Sequence, residues 1–250
     1  MQLPISCAKT ALSAGLIALA GMTSAEAPAP GDTAATYDVR LLGVKVGTMT
    51  LAGRISDSNY VIASGFSTSG VAGQVARASF DLKSSGRTHA GGFIPARYDE
   101  AIDTGRRQSS ARLRYRSGVP RITGGTLAQA TPDPGEVPLD PGKMGGTLDP
   151  LTAMFAAMHD QPATALCKVD VTVFDGARKS SIRMTGRVDA GGGAVICDGV
   201  YTRLEGFSQS ELDRQTVFPF SVEYAPAGDM MQTQRVTMRS SLGKAELLRR

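Results

Sequence analysis

The chain lacks tryptophan, has few other aromatic residues, and contains no apolar run long enough to cross a bilayer. Aromatic residues make up 6% of its 250 residues, whereas glycine occurs 29 times. A spanning helix needs about 20 consecutive apolar residues, so we expect no membrane-spanning helix. Scarce aromatics together with abundant glycine favour many short strands and tight turns over a helical bundle.

Metal-ligating residues are also scarce. The sequence has two histidines, His89 and His159, and three cysteines, without the spacing that ligates zinc. We therefore expect no metal site and no cofactor. His89 lies in a glycine-rich loop, and His159 ends a predicted helix, where an imidazolium would interact favourably with the helix dipole. Neither a complete nucleophile elbow nor a phosphate-binding loop is present.

The first residues have the features of a secretory signal peptide. Lys9 precedes a short apolar run over residues 11–20, and Ala25-Glu26-Ala27 fits a signal-peptidase site. We predict a signal peptide over residues 1–27, or 1–25 because Pro28 would follow the first cut. The remaining chain is then expected in the periplasm, peripheral to a membrane at most. Cys7 precedes the apolar run, so lipid attachment is not expected.

Export leaves two cysteines in a compartment where disulfides persist. We predict that Cys167 and Cys197 form a disulfide, which would stabilise the fold by about 3–4 kcal/mol on the chain-entropy model. Two unpaired buried thiols are the alternative.

Alternating apolar and polar residues predict a mainly β protein. Residues 28–35 are expected to be a flexible spacer and residues 36–250 a single β-rich domain of roughly ten strands, with a Pro/Gly-rich loop at 131–147. A hairpin is expected around Gly105, and a second around a two-residue Asp175-Gly176 turn.

One helix is predicted at about 149–160. Asp149 can cap it, Pro150 suits its first turn, and Leu151, Phe155 and Met158 fall on one apolar stripe with Met154. The expected architecture is a single curved antiparallel sheet or open barrel-like domain with this central helix packed on it. Met154, Phe155 and Met158 would line any cavity beneath the helix, although a closed core is the favoured interpretation.

Several short segments, in order, resemble a bacterial envelope family known as domain of unknown function 3108 (DUF3108). The most specific are Leu148-Asp149-Pro150-Leu151 and Val173-Phe174-Asp175-Gly176, and further segments lie at 37–39, 43–47, 92–98 and 243–247. The resemblance extends over residues 37–248. It implies an exported β-rich domain without an assigned activity, and it transfers no catalytic residues.

The predicted hairpin around Gly105 carries the main charge clusters. Arg112, Arg114 and Arg116 would share one face of its second strand, where three guanidinium groups repel each other unless they are solvated or paired. Pairing with Asp99 across the hairpin is favoured, and recognition of a phosphate- or carboxylate-bearing envelope molecule is the alternative. The net charge of +4 is compatible with anionic partners without requiring them.

The leading hypothesis is a non-enzymatic periplasmic domain that binds an envelope lipid, polysaccharide or partner protein. No nucleic acid partner is expected, and the oligomeric state is open. One alternative is a cell-wall-directed hydrolase that uses Asp99, Glu100 or Asp103 as acid and base, which would require two carboxylates facing one cleft. Another is a structural scaffold.

Overall fold

Thirteen strands form one open antiparallel sheet in the computed structural model, which describes residues 32–70, 77–105, 108–129, 137–240 and 243–250. The predicted signal peptide lies outside these residues. The first strands are β1 Asp32–Leu41, β2 Val44–Ser56, β3 Asn59–Thr68, β4 Ser79–His89, β5 Gly92–Asp103, β6 Gln108–Arg116 and β7 Val119–Gly124. The others are β8 Asp170–Phe174, β9 Lys179–Asp189, β10 Val195–Glu205, β11 Val217–Ala227, β12 Met230–Ser240 and β13 Gly243–Arg249. The predicted mainly β architecture is confirmed.

Two meanders build this sheet. Within the first meander, β1 to β7, strands that are consecutive in sequence pair with each other. The same holds within the second meander, β8 to β13. The meanders join where β1 pairs with β13, in a register that sets Tyr37 opposite Arg249. Strands β7 and β8 are therefore the two edges of the sheet, and the chain between them carries helix α1, Pro150–Met158.

The sheet wraps around helix α1. The helix packs against β3, β4, β5 and β8. Strands β11 and β12 contact the last turn of the helix: Tyr224 Oη donates to the Ala157 carbonyl, and Thr233 Oγ1 donates to the Met158 carbonyl at 3.1 Å. Thr152, Ala153 and Ala157 are buried as well as the predicted apolar stripe. The helix is thus enclosed on nearly all sides, which explains how such a short helix is held in place.

Large side chains from the inner face of the sheet form the core around this helix. The fully buried aromatic residues are Tyr37, Tyr60, Tyr98, Tyr224, Phe155 and Phe174. A side chain at Gly53 of β2 would overlap the Phe155 ring. The absence of a side chain at this position therefore lets the sheet approach the helix closely.

The structure corrects four predicted boundaries. Strand β1 begins at Asp32, inside the expected spacer, because its residues pair with the long β2 strand. Strand β7 was not expected since it contains Pro120, which an edge strand tolerates. Strand β8 begins after Cys167, whose φ of 62° breaks the predicted alternation. The Asp175-Gly176 turn is longer than two residues, because β9 begins only at Lys179.

A second short helix, α2 (Gln209–Arg214), was not predicted from the sequence. Its signal was local: the Glu211 carboxylate accepts hydrogen bonds from the Ser208 backbone N–H and hydroxyl, both at 3.1 Å, as in a capping box.

The predicted disulfide is confirmed. Cys167 and Cys197 are bonded, with their Cα atoms 5.2 Å apart and a sequence separation of 30. The bond joins the segment before β8 to β10 and so fixes one wall of the site described next.

Candidate ligand-binding cavity

A cavity of about 610 Å³ lies between the two ends of the open sheet. One wall comes from β4 to β7 and the opposite wall from β8 to β10, with Pro150 at the start of α1 between them. The lining is mostly apolar and includes Phe80, Leu82, Ile102, Ile122, Val173 and Ile182. Val137 at the rim is 70% exposed. The cavity exists because β7 and β8 do not pair, so the sheet curves without closing.

Glu100 places a carboxyl group in this apolar wall. It alternates with Tyr98 and Ile102 on the inner face of β5 and is 9% exposed. Tyr98 Oη donates to Glu100 Oε2 at 2.6 Å. Within the described part of the chain, this is the only hydrogen bond that the Glu100 carboxyl group makes. Burial raises the pKa of Glu100 to about 7, against the opposing effect of the Tyr98 hydrogen bond. The negative charges of Asp175 and Asp149 raise this pKa further.

The loop between β8 and β9 supplies the second cavity-facing carboxyl group. Asp175 Oδ1 accepts hydrogen bonds from the backbone N–H groups of Ala177 at 2.8 Å and Arg178 at 2.7 Å. Burial raises the pKa of Asp175, while these two hydrogen bonds lower it. Asp175 therefore stabilises the conformation of this loop, and its Oδ1 already accepts two backbone hydrogen bonds.

Among the described residues, Arg178 is the one basic residue that lines the cavity. Its guanidinium lies 3.4 Å from a Glu211 oxygen and 5.2 Å from the centre of the Phe207 ring. These contacts direct its charge toward α2 rather than toward Glu100.

A buried polar network lies below the cavity, at the start of α1. As predicted, Asp149 caps the helix: its Oδ1 accepts from the Thr152 backbone N–H at 2.9 Å. Its Oδ2 accepts from Thr152 Oγ1 at 2.7 Å and from Ser84 Oγ at 3.0 Å, and Tyr60 Oη lies 3.0 Å from Thr152 Oγ1. Burial raises the pKa of Asp149 to about 6, although these hydrogen bonds lower it. The network ties the helix to β3 and β4.

The favoured interpretation of the helix stripe, a closed core rather than a cavity lining, is confirmed. Phe155 and Met158 are 0% and 3% exposed in the closed core, and Met154 packs against that core. His159 follows the helix, as predicted, and burial lowers its pKa, which disfavours the charged imidazolium. Its Nδ1 lies 2.9 Å from the Phe155 carbonyl oxygen, an acceptor, so Nδ1 carries the proton.

The acidic residues proposed for a hydrolase do not meet in one cleft. Asp99 and Asp103 lie on the outer face of β5, whereas Glu100 faces the cavity. Asp103 also holds the following turn, since its Oδ1 accepts from the Gly105 backbone N–H at 2.7 Å.

The arginines of β6 lie on the outside of the sheet. Arg114 forms the favoured ion pair with Asp99, with Arg114 Nη2 and Asp99 Oδ1 2.9 Å apart. Arg114 also stands directly opposite Arg97 on β5 and Arg121 on β7. Arg112 and Arg116 flank this row and are exposed. The four other arginines make no side-chain hydrogen bond or ion pair with any described residue. Arg121 was expected near the end of this cluster, whereas Arg97 was not expected, because only the strand register places it in the row.

The part of the chain that the structure describes offers neither a metal-binding cluster nor a membrane-spanning helix. No group of three or more histidine, cysteine, aspartate or glutamate side chains there could hold a metal ion. No helix there is long and apolar enough to cross a membrane.

Comparison with known proteins gives a family without an activity. No curated protein matches the chain. A solved structure described as a beta-barrel-like protein of domain of unknown function DUF1849 from Brucella abortus is similar at 12% identity and a TM-score of 0.48, covering 88% of this chain and 95% of that one. The family model described as a protein of unknown function, DUF3108, matches residues 36–190, as the sequence resemblance implied. The chain belongs to the DUF3108 family.

Proposed function

We propose that this protein is an exported, non-enzymatic component of the bacterial cell envelope that binds an apolar envelope molecule in the cavity between the ends of its sheet. Export is supported by the leader features of residues 1–27, and the Cys167–Cys197 disulfide is compatible with it. The observation that carries the binding function is the cavity itself.

The size and lining of the cavity fit a small apolar ligand. Ligand pockets in proteins typically measure about 300–1,000 Å³ and combine apolar walls with a few polar groups. This cavity, at about 610 Å³, has mostly aliphatic and aromatic walls, with Glu100, Asp175 and Arg178 as its charged contacts among the described residues. Burial of an alkyl chain there would supply about 0.8 kcal/mol per CH₂ group.

The two alternatives are less well supported. A hydrolase that uses Asp99, Glu100 and Asp103 would need at least two of these carboxylates in one cleft. Of the three, only Glu100 faces the cavity, whereas Asp99 and Asp103 on the outer face are engaged by Arg114 and by the Gly105 backbone N–H. A structural scaffold predicts that no small molecule binds, so a binding measurement decides between it and the proposed function.

The binding test uses decanol, a neutral alkyl ligand, and calorimetric titration. The wild-type chain is compared with Ser109→Phe, which places a ring inside the cavity, and with Ala101→Phe, which places the same ring on the outer face of the adjacent strand. We expect decanol to bind the wild type and Ala101→Phe alike. Ser109→Phe should weaken binding by about tenfold or more, because it fills the space the ligand needs.

Two results would overturn the binding function. One is absence of decanol binding to the folded wild type, and the other is equal binding to both variants. Thermal melting checks that Ser109→Phe folds, and Ile182→Trp fills the cavity from the opposite wall if it does not.

We further propose that the outer arginine face contacts anionic phospholipid headgroups. The face comprises Arg97, Arg112, Arg114, Arg116 and Arg121, and Asp99 is the one carboxylate paired with it. Like charges directly opposite on neighbouring strands repel each other, and an anionic surface would relieve that repulsion. Each basic residue near such a surface contributes about 1 kcal/mol to binding.

Vesicle sedimentation tests this face. The wild type should bind vesicles containing phosphatidylglycerol more tightly than vesicles of phosphatidylcholine alone, and added salt should weaken that binding. Arg121→Glu should reduce binding by about tenfold or more, whereas Arg239→Glu, the same charge change at an exposed position on β12, should not. Equal loss in both variants would show only a net-charge effect and would contradict a specific face.

A further inference from the structure

The cavity contains a carboxyl group whose hydrogen-bonding capacity is not used by the protein. Glu100 is nine-tenths buried and lines the cavity, yet within the described residues only Tyr98 bonds to it, through Oε2. Its Oε1 has no hydrogen-bond partner among the described residues. An ionised carboxylate in such a place is costly unless a donor or a cation reaches it.

The surrounding charges do not supply that partner. The titratable and charged groups that face Glu100 or share its cavity are Tyr98, Asp149, Asp175, Arg178 and Tyr201. The two aspartates repel a negative charge on Glu100, and Arg178 is engaged by Glu211. Among the residues that the structure describes, only Tyr98 donates to the Glu100 carboxyl group, so a bound ligand could supply a positive charge or a second donor.

We propose that the cavity selects amphiphiles with a primary amine or another cationic donor group, which Glu100 binds while the apolar chain fills the remaining space. This rests on the proposed binding function and names its ligand class. Arg178 and Asp175 lie on the opposite wall, so the ammonium group would lie against β5 and the chain would extend toward Ile122 and Leu127.

The test compares three ligands with the same alkyl chain: decylamine, decanol and decanoate, each below its micelle concentration. Leu127→Trp introduces the chain's single tryptophan at the cavity wall, and its emission reports occupancy. Calorimetric titration of the wild type runs in parallel, so the comparison does not depend on this variant. At about pH 8 we expect decylamine to bind about tenfold to a hundredfold more tightly than decanol, the usual range for a charged hydrogen bond.

Variants and pH separate Glu100 from general electrostatics. Glu100→Gln should bring the affinities for decylamine and decanol to within about twofold, whereas Asp99→Asn, on the outer face of the same strand, should keep the preference. Acidification below about pH 6 should also reduce the preference, because Glu100, with a pKa of about 7, becomes neutral while the amine stays charged.

The outcomes distinguish this inference from the function it rests on. If none of the three ligands binds, the proposed function fails. If all three bind equally, or if the preference for decylamine survives in Glu100→Gln, the cavity binds alkyl chains but the assigned amine selectivity is wrong. Tighter binding of decanoate than of decylamine would also overturn the assigned amine selectivity.

Discussion

Replacing Glu100 with glutamine is expected to stabilise the unliganded fold above neutral pH and to have little effect in acid. Burial raises the pKa of Glu100 from 4.5 to about 7, so the folded state keeps a proton that the unfolded state releases. The unfolded state therefore binds fewer protons across this range. Wild-type stability falls as the pH rises from about 4.5 to about 7, and the loss is complete above the folded pKa.

The magnitude follows from the same rise in pKa. At about 1.36 kcal/mol per pKa unit, it corresponds to about 3 kcal/mol. Glutamine keeps a carbonyl oxygen that can accept the Tyr98 hydrogen bond, and it carries no charge to desolvate. Glu100→Gln should thus exceed the wild type by about 3 kcal/mol at about pH 8 and by less than about 0.5 kcal/mol near pH 4.

Urea denaturation of the purified, ligand-free chain across this pH range measures the difference. Burial also raises the pKa of Asp149, to about 6, which makes both proteins less stable at high pH and largely cancels in the comparison. Asp99→Asn, on the outer face of β5, should show no comparable gain between about pH 5 and about pH 8. A Glu100→Gln difference that is independent of pH would refute the placement of an ionisable carboxyl group in an apolar wall.

Three further predictions concern the framework. Cys167→Ser should lower the free energy of unfolding by about 3–4 kcal/mol by removing the bond to Cys197, and a loss under 1 kcal/mol by urea denaturation would contradict this. Arg114→Glu should lower the melting temperature through loss of a half-exposed ion pair worth about 0.5–1 kcal/mol, whereas Arg116→Glu, which has no partner among the described residues, should leave it unchanged. Gly53→Val should destabilise by about 1–3 kcal/mol, because the new side chain overlaps a ring of helix α1; unchanged urea stability would contradict that packing.

Local patterns in the sequence predicted much of this fold. Alternation with a period of two assigns the inner face of a strand without knowledge of its partners, and it places Tyr98 and Glu100 on the same side of β5. Asp149 and Pro150 define the start of helix α1 in the same local way. These local patterns therefore predict the β5 wall of the candidate site and the start of the helix beside it.

The rest of the candidate site depends on long-range strand pairing that no local sequence pattern specifies. Whether Glu100 and Asp175 share a cavity depends on how far the thirteen-stranded sheet curves and on its failure to pair β7 with β8. The arginine face depends in the same way on register, since a shift of one residue on β7 would turn Arg121 inward. The helix stripe correctly indicated a closed core, because the sheet surrounds the helix and buries Phe155, but it carried no information on where the cavity lies.

The most direct test of the binding function is a native mass spectrum of the protein isolated from the periplasm without refolding. We expect a processed chain carrying a discrete additional mass, which extraction into organic solvent removes and which Ser109→Phe lacks. Retention of that mass by Ser109→Phe would place the molecule outside the cavity. A bare chain that also fails to bind decanol in titration would contradict the account.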